Sequence, residues 1–229
     1  MAKISDLFRW KKEVALKLGD KNIAKYYVRV VGDADFSAAR NKALKSSREL
    51  RIKLRTEGSD EFDAMFCDLG VLTPDEMANG IIASEAADFS DEALITIKEE
   101  KVPELEENPT LEQQEDHLAK HDSARTKRIH EVAKFIDGKI KVRREELVKL
   151  PKEELTKLYT SSIVDGECTK LFTTIFREYC IFKGTFIDAG YSEPAFSSFE
   201  EFHESNINLK TQLMTAYIEL EISGDQLKN

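Results

Sequence analysis

The start of the chain alternates between apolar and polar positions, a pattern typical of half-buried β-strands. Two runs show it, made up of Val14, Leu16 and Leu18 and then of Tyr26, Val28 and Val30. The residues Gly19 to Asn22 between the runs have turn chemistry. We therefore predict a β-hairpin whose second run faces a core. A hairpin on its own is only marginally stable in water, so we expect it to pack against helices.

After Gly32 the apolar period lengthens to three and four residues, which predicts a helix from Asp33 to about Arg55. Its expected buried face consists of Phe36, Ala39, Ala43, Ser47, Leu50 and Leu54. Because Ala43 and Ser47 are small, a neighbouring element can approach the helix closely there.

Further helices are predicted from their start signals. They begin near Ser59, Thr73, Thr110, Pro151 and Ser198. The helix after Thr110 is polar apart from one apolar stripe, which requires a partner helix, and Gly138 is a candidate break in it. Residues 183–196 are predicted to be a loop and the last helix to run to about Ser223. The predicted fold class is mainly α, with an N-terminal β-hairpin packed on helices followed by a helical C-terminal domain.

Residues 99–116 differ in composition from their surroundings. They contain eight acidic residues against one base, Lys101, and they include Pro103 and Pro109. Such a stretch is typical of an exposed segment. We therefore predict an N-terminal domain over residues 1–98, an acidic linker or exposed loop over 99–116, and a C-terminal domain over 117–229.

Charge and cysteine content narrow the class of protein. The 43 acidic and 34 basic residues give a net charge of −9, which disfavours attraction of the whole surface to nucleic acid or anionic lipid. Cys67, Cys168 and Cys180 are too few and too widely spaced for a disulfide framework, so we expect buried thiols in a reducing compartment. The chain has neither a signal-peptide pattern at its start nor an apolar run of about 18 residues. The predicted location is cytoplasmic, without a membrane partner.

The common catalytic motifs are absent from the sequence, including the phosphate-binding glycine loops, the serine elbow and the zinc-protease helix. His117 and His121 are spaced to share one helix face, but a zinc site needs a third protein ligand. We interpret the pair as part of a solvated helix face. The sequence thus predicts a non-enzymatic protein with no catalytic residue, no cofactor and no metal site.

The helix predicted after Gly32 is strongly basic between residues 40 and 55, with seven bases against one acid, Glu49. The candidate partner-binding residues in it are Arg40, Lys45, Arg48, Arg51 and Arg55. Three interpretations remain open: a face that is solvated or pairs with acids of the same chain, a surface for an acidic partner protein, and a track for phosphates. Because no aromatic residues interleave the bases, nucleic acid is the least favoured partner.

Two parts of the chain resemble the tail-assembly chaperones and related small tail proteins of tailed bacteriophages. The first is the stretch Tyr26 to Asp35 followed by a helix with Ala39-Arg40 and Ser47-Arg48-Glu49-Leu50-Arg51. The second contains Lys152-Glu153-Glu154-Leu155, then Pro194 to Glu201, then Leu213, Tyr217 and Leu220. The resemblance covers residues 23–55 and 150–222 and leaves the middle unmatched.

The resemblance implies a non-enzymatic protein of the host cytoplasm that binds the tape-measure protein and assists assembly of the tail tube. The tail tube protein is a second partner that it implies, and self-association through helices is a further expectation. Three alternatives are a structural neck or tail component of the virion, a nucleic-acid-binding regulator that uses the basic helix, and, least favoured, a metal-dependent enzyme at His117 and His121.

Overall fold

The computed structural model describes residues 11–18, 21–105 and 109–226. The fold is mainly α with a small three-stranded antiparallel sheet, which confirms the predicted fold class. The strands are β1 (Lys11–Leu18), β2 (Lys21–Arg29) and β3 (Thr185–Phe186). The helices are α1 (Asp33–Arg55), α2 (Asp60–Met65), α3 (Pro74–Thr96), α4 (Leu111–Leu147), α5 (Lys152–Gly184), α6 (Phe199–His203) and α7 (Ile207–Gln226).

The chain forms two compact units whose limits differ from the predicted domains of residues 1–98, 99–116 and 117–229. The terminal unit combines the residues up to Thr56 with those from Glu167 onward, and the middle unit runs from Glu57 to Gly166. The terminal unit is discontinuous because β3 and α7 pack on the N-terminal hairpin. Composition, on which the predicted limits were based, carries no information about such distant pairing.

The terminal unit is built around the sheet, whose strand order is β1-β2-β3. Val28 is fully buried, and Tyr26 and Val30 pack against the same core, as the alternation predicted. The largest buried side chains around them come from α5, α6 and α7 and include Ile181, Phe202 and Leu213. The turn predicted at Gly19 and Asp20 lies outside the described residues, and Lys21 already belongs to β2.

Gly184 ends α5 at a point where there is no room for a side chain. A Cβ atom there would lie 2.4 Å from the backbone oxygen of Arg29 and 3.3 Å from the ring of Tyr217. The next residue, Thr185, pairs with Val28 of β2. Glycine therefore allows α5 to run directly against the sheet before the chain becomes β3.

The middle unit is a bundle whose helices begin where the sequence predicted. Ser59 caps α2, and complete capping boxes start α3 at Thr73 and α4 at Thr110. Its core consists of Met77, Ala78, Ile81, Ile82, Leu147 and Leu155. The antiparallel helices α3 and α4 are also joined by ion pairs, such as the one between Arg143 and Glu85 at 2.7 Å.

Four local expectations differ from the structure. The predicted loop 183–196 begins with the last two residues of α5 and strand β3, because that strand pairs with β2. The acidic segment 99–116 is partly helical, because α4 begins at Leu111. Gly138 does not interrupt α4, since helix propensity in the rest of so long a helix offsets one glycine. The predicted last helix is two helices, α6 and α7, which are separated at residues 204–206.

The described part of the chain contains no helix with the length and apolar character needed to cross a membrane.

Candidate protein-binding surfaces

Four of the five basic residues singled out in the sequence share one face of α1. At 100° per residue, Arg40, Arg48, Arg51 and Arg55 fall within an arc of about 80°, and we call them the arginine face. Lys45 lies about 60° outside this arc and is 3.9 Å from Glu49 on the same helix. The structure therefore groups the four arginines and separates the lysine from them.

The four arginines differ in how far they are engaged within the protein. Arg40 and Arg48 are exposed and form no ion pair with any described residue. Arg51 is half-buried, and both it and Arg55 interact with other groups of the protein. The cationic groups that are available to a partner are therefore those of Arg40 and Arg48.

A different face of α1 holds the helix in place. Ala39 and Ala43 are fully buried and Leu54 is nearly so. The Ser47 hydroxyl donates a hydrogen bond of 3.0 Å to the carbonyl of Cys168 in α5, which confirms the close approach predicted at the small residues. Phe36, which was expected to be buried, is 48% exposed, and its ring packs against that of Phe176 in a T-shaped arrangement. The apolar residues that attach α1 to its unit therefore lie on a face other than the arginine face.

One base of α1 is used inside the terminal unit. Lys42 lies 3.2 Å from the Glu200 carboxylate and 5.4 Å from the centre of the Phe199 ring. The backbone N–H of Glu200, followed by the Lys42 ammonium, lowers the pKa of Glu200. The interpretation that the basic helix pairs with acids of the same chain therefore applies to Lys42 and, within the helix itself, to Lys45.

A buried carboxylate that no sequence pattern indicated joins three helices of the same unit. Glu178 of α5 is 2.5 Å from Nδ1 of His203 and 3.2 Å from Nζ of Lys210. Lys210 also donates to the carbonyl of His203 at 2.8 Å. These groups satisfy one another, so the cluster is explained by its role in fixing α6 and α7 on α5.

The middle unit carries an open apolar groove of about 640 Å³ between the end of α3 and the middle of α4. Its lining includes Leu94, Ile129, Val132 and Ile136. Arg128 at its rim donates to the carbonyls of Ile97 and Leu94 and so covers the end of α3. The apolar stripe of α4 was visible in the sequence. The exposure of this stripe could not be predicted from the sequence, because it depends on where α3 ends.

The histidine pair lies on one helix face, as its spacing predicted. The Nε2 atoms of His117 and His121 are 3.1 Å apart. Within the described ranges, no group of three or more His, Cys, Asp or Glu side chains is arranged to hold a metal ion. The structure supplies no third protein ligand to this pair from those ranges.

Two of the three cysteines are buried, as expected, and one is not. Cys168 and Cys180 lie in the terminal unit, whereas Cys67 is exposed in the middle unit.

No known protein family matches the chain, and no curated protein or solved structure is significantly similar to it.

Proposed function

We propose that the protein is a non-enzymatic binding factor that uses the arginine face of α1 to contact an acidic surface of another protein. The observation that carries this proposal is the exposure of Arg40 and Arg48 on one helix face without an ionic partner among the described residues. A guanidinium group forms bidentate hydrogen bonds with carboxylates, which gives such a contact geometric specificity.

The specific form of the proposal is a phage tail-assembly chaperone that binds the tape-measure protein. Its support is the resemblance described above, which involves residues 23–55 and 150–222. The first segment and most of the second belong to the terminal unit, which ends at Thr56 and resumes at Glu167. The unmatched middle of the chain corresponds largely to the middle unit. The resemblance therefore concerns parts of the sequence that fold together, and α1 is one of them.

The test is co-purification with the tape-measure protein encoded in the same genome, for the wild type and for Arg40→Glu combined with Arg48→Glu. We expect the wild type to retain the tape-measure protein and the double variant to bind it at least about tenfold more weakly, because two charge-assisted contacts become repulsive. Circular dichroism should show an intact fold, since both arginines are exposed and neither forms an ion pair with a described residue.

The matched control changes the net charge by the same amount as the arginine double variant, but on α4 instead of α1. Lys134→Glu combined with Lys141→Glu alters two exposed lysines of α4 and should leave binding unchanged. Equal loss in the control, or no binding by the wild type, contradicts the proposal. DNA binding is measured in parallel: micromolar affinity that falls steeply between about 50 and 200 mM salt would instead support the nucleic-acid alternative.

A further inference from the structure

An exposed seam runs along the first two thirds of α4, in the middle unit. Its members recur at alternating steps of four and three residues, the spacing of a coiled-coil interface. They are Leu111, Glu115, Leu118, Asp122, Arg125, Ile129, Val132 and Ile136. At 100° per residue they occupy an arc of about 100°.

Three of the five apolar members of this seam are unusually open to solvent, and Val132 and Ile136 are half-buried. Leu111 is 77% exposed, Leu118 is 63% exposed and Ile129 is 61% exposed. Ile129, Val132 and Ile136 also line the groove beside α3. Apolar residues thus occupy five of the eight seam positions over about seven helical turns. A stripe of this kind indicates that another helix covers it.

The seam is complementary to itself when two copies of α4 run antiparallel. In such a pair, each seam residue of one copy faces one seam residue of the other, and we call each facing pair a layer. The spacing of the seam makes the two residue numbers of every layer add up to 247. Leu111 then faces Ile136 of the second copy, and Leu118 faces Ile129. A two-fold axis repeats both layers, because the same surface is used by each copy. One further layer, also repeated, places Glu115 opposite Val132.

The charges at the middle of the seam match in the same register. Asp122 faces Arg125 of the second copy, and this layer also occurs twice. Both side chains are exposed, and neither forms an ion pair with a described residue. In a parallel pair, by contrast, each would face its own like charge. A polar layer of this kind fixes the orientation and register of paired helices.

The residues beside the seam allow the helices to approach. Ala119, Thr126 and Ala133 flank it on one side, and all three are small and exposed. Close backbone approach lets the apolar layers exclude water. The two α4 helices can therefore come close together without a long side chain between their backbones.

We infer that the protein forms an antiparallel dimer through the seam of α4, in which the α3–α4 hairpins of two copies assemble as four helices. This interface is independent of the arginine face and of the proposed function, because it lies in the other unit.

The first test measures the mass of the full-length protein by sedimentation velocity over a range of concentrations. We expect a dimer that Leu118→Glu and Ile129→Glu each weaken at least about tenfold, because each places a carboxylate in two apolar layers. Ile95→Glu is the control, since Ile95 is 77% exposed on α3 and outside the seam. A protein that stays monomeric at about 100 µM, where even a weak dimer would be detected, overturns the inference. A dimer whose dissociation constant the seam variants leave unchanged overturns it as well.

Charge exchange tests the register. Asp122→Arg alone and Arg125→Asp alone should each weaken the dimer, because like charges then face each other in the central layers. The combination of both substitutions restores opposite charges and should restore the dimer. If the combined variant is weaker than both single variants, the antiparallel register is wrong.

Crosslinking gives the orientation directly, in a Cys67→Ser background that removes the exposed thiol. A mixture of Leu118→Cys and Ile129→Cys chains should form the mixed disulfide. Leu118→Cys alone should not crosslink to itself, because its copies would be about 16 Å apart along the helix, well beyond the Cα separation of about 7 Å that a disulfide tolerates. Preferential self-crosslinking at position 118 would mean a parallel pair and would overturn the inference.

Discussion

Cys180 and Tyr217 occupy a core position of the terminal unit in which neither side chain can ionise easily. Cys180 is 2% exposed and Tyr217 is 4% exposed. Burial, reinforced by the negative charge of Glu221, raises the pKa of Cys180 to about 12. Burial also raises the pKa of Tyr217, although the hydrogen bond from the Val31 N–H opposes this shift. Both groups therefore stabilise the fold only in their neutral forms.

This environment predicts a loss of stability in alkali. The folded state keeps the Cys180 thiol protonated, whereas the unfolded chain loses that proton near pH 9, so the stabilisation is complete below about pH 9 and is lost as the pH rises toward about 12. We expect the urea concentration at the midpoint of unfolding, measured by circular dichroism, to fall between about pH 9 and about pH 12. The fall should be smaller in Cys180→Ala than in the wild type. It should be as large as in the wild type in Cys67→Ala, which removes an exposed thiol. Identical pH profiles for all three proteins would contradict this account.

At the scale of elements, the sequence predicted where helices begin better than what they contact. The start signals at Ser59, Thr73 and Thr110 depend on side chains within three residues, and the structure confirms each of them. The grouping of the arginine face also followed from helix periodicity alone. The pairing of Lys42 with Glu200 could not be predicted, because it joins residues 158 positions apart. The groove beside α4 likewise depends on the end of another helix.

Substitutions at Gly184 and Gly138 compare the effect of tight packing with the effect of helix propensity. Gly184→Ala should destabilise the protein by roughly 1–3 kcal/mol, because its Cβ would meet the Arg29 carbonyl at 2.4 Å. Gly138→Ala in the middle of α4 should instead stabilise it by about 0.5–1 kcal/mol, since nothing lies within 4 Å of the added atom. The measurement is the free energy of unfolding in urea. A neutral Gly184→Ala would show that the sheet and α5 can move apart at little cost.

At the scale of the whole molecule, the terminal unit depends on both ends of the described chain. An ion pair links Lys12 of β1 with Glu219 of α7, and Leu213 and Leu220 belong to the same core as Val28. The middle unit, by contrast, is formed by one continuous segment. Local composition favoured a division near residue 99, whereas the long-range contacts of the hairpin determine the actual one.

The discontinuous unit predicts that residues 1–98 do not fold by themselves. A fragment with these limits retains β1, β2 and α1 but lacks the α5, α6 and α7 side chains that bury Val28 and Ala43. We expect its hairpin amides to exchange rapidly and its thermal transition to lack cooperativity, in contrast to the full chain. Protected amides at Tyr26 and Val28 in the fragment would contradict this prediction and would favour the domain limits drawn from composition.

The joining of β1 to α7 also has a consequence for the order in which the protein acquires its structure. Lys12 and Glu219 are 207 positions apart, so a ribosome has made nearly all of the described chain before the hairpin meets the helix that covers it. The middle unit is complete in the chain by Gly166 and can fold during synthesis. Until then, the apolar side of the hairpin is exposed, and closing so long a loop is intrinsically slow. The nascent hairpin is therefore exposed to misassociation until α7 has been made.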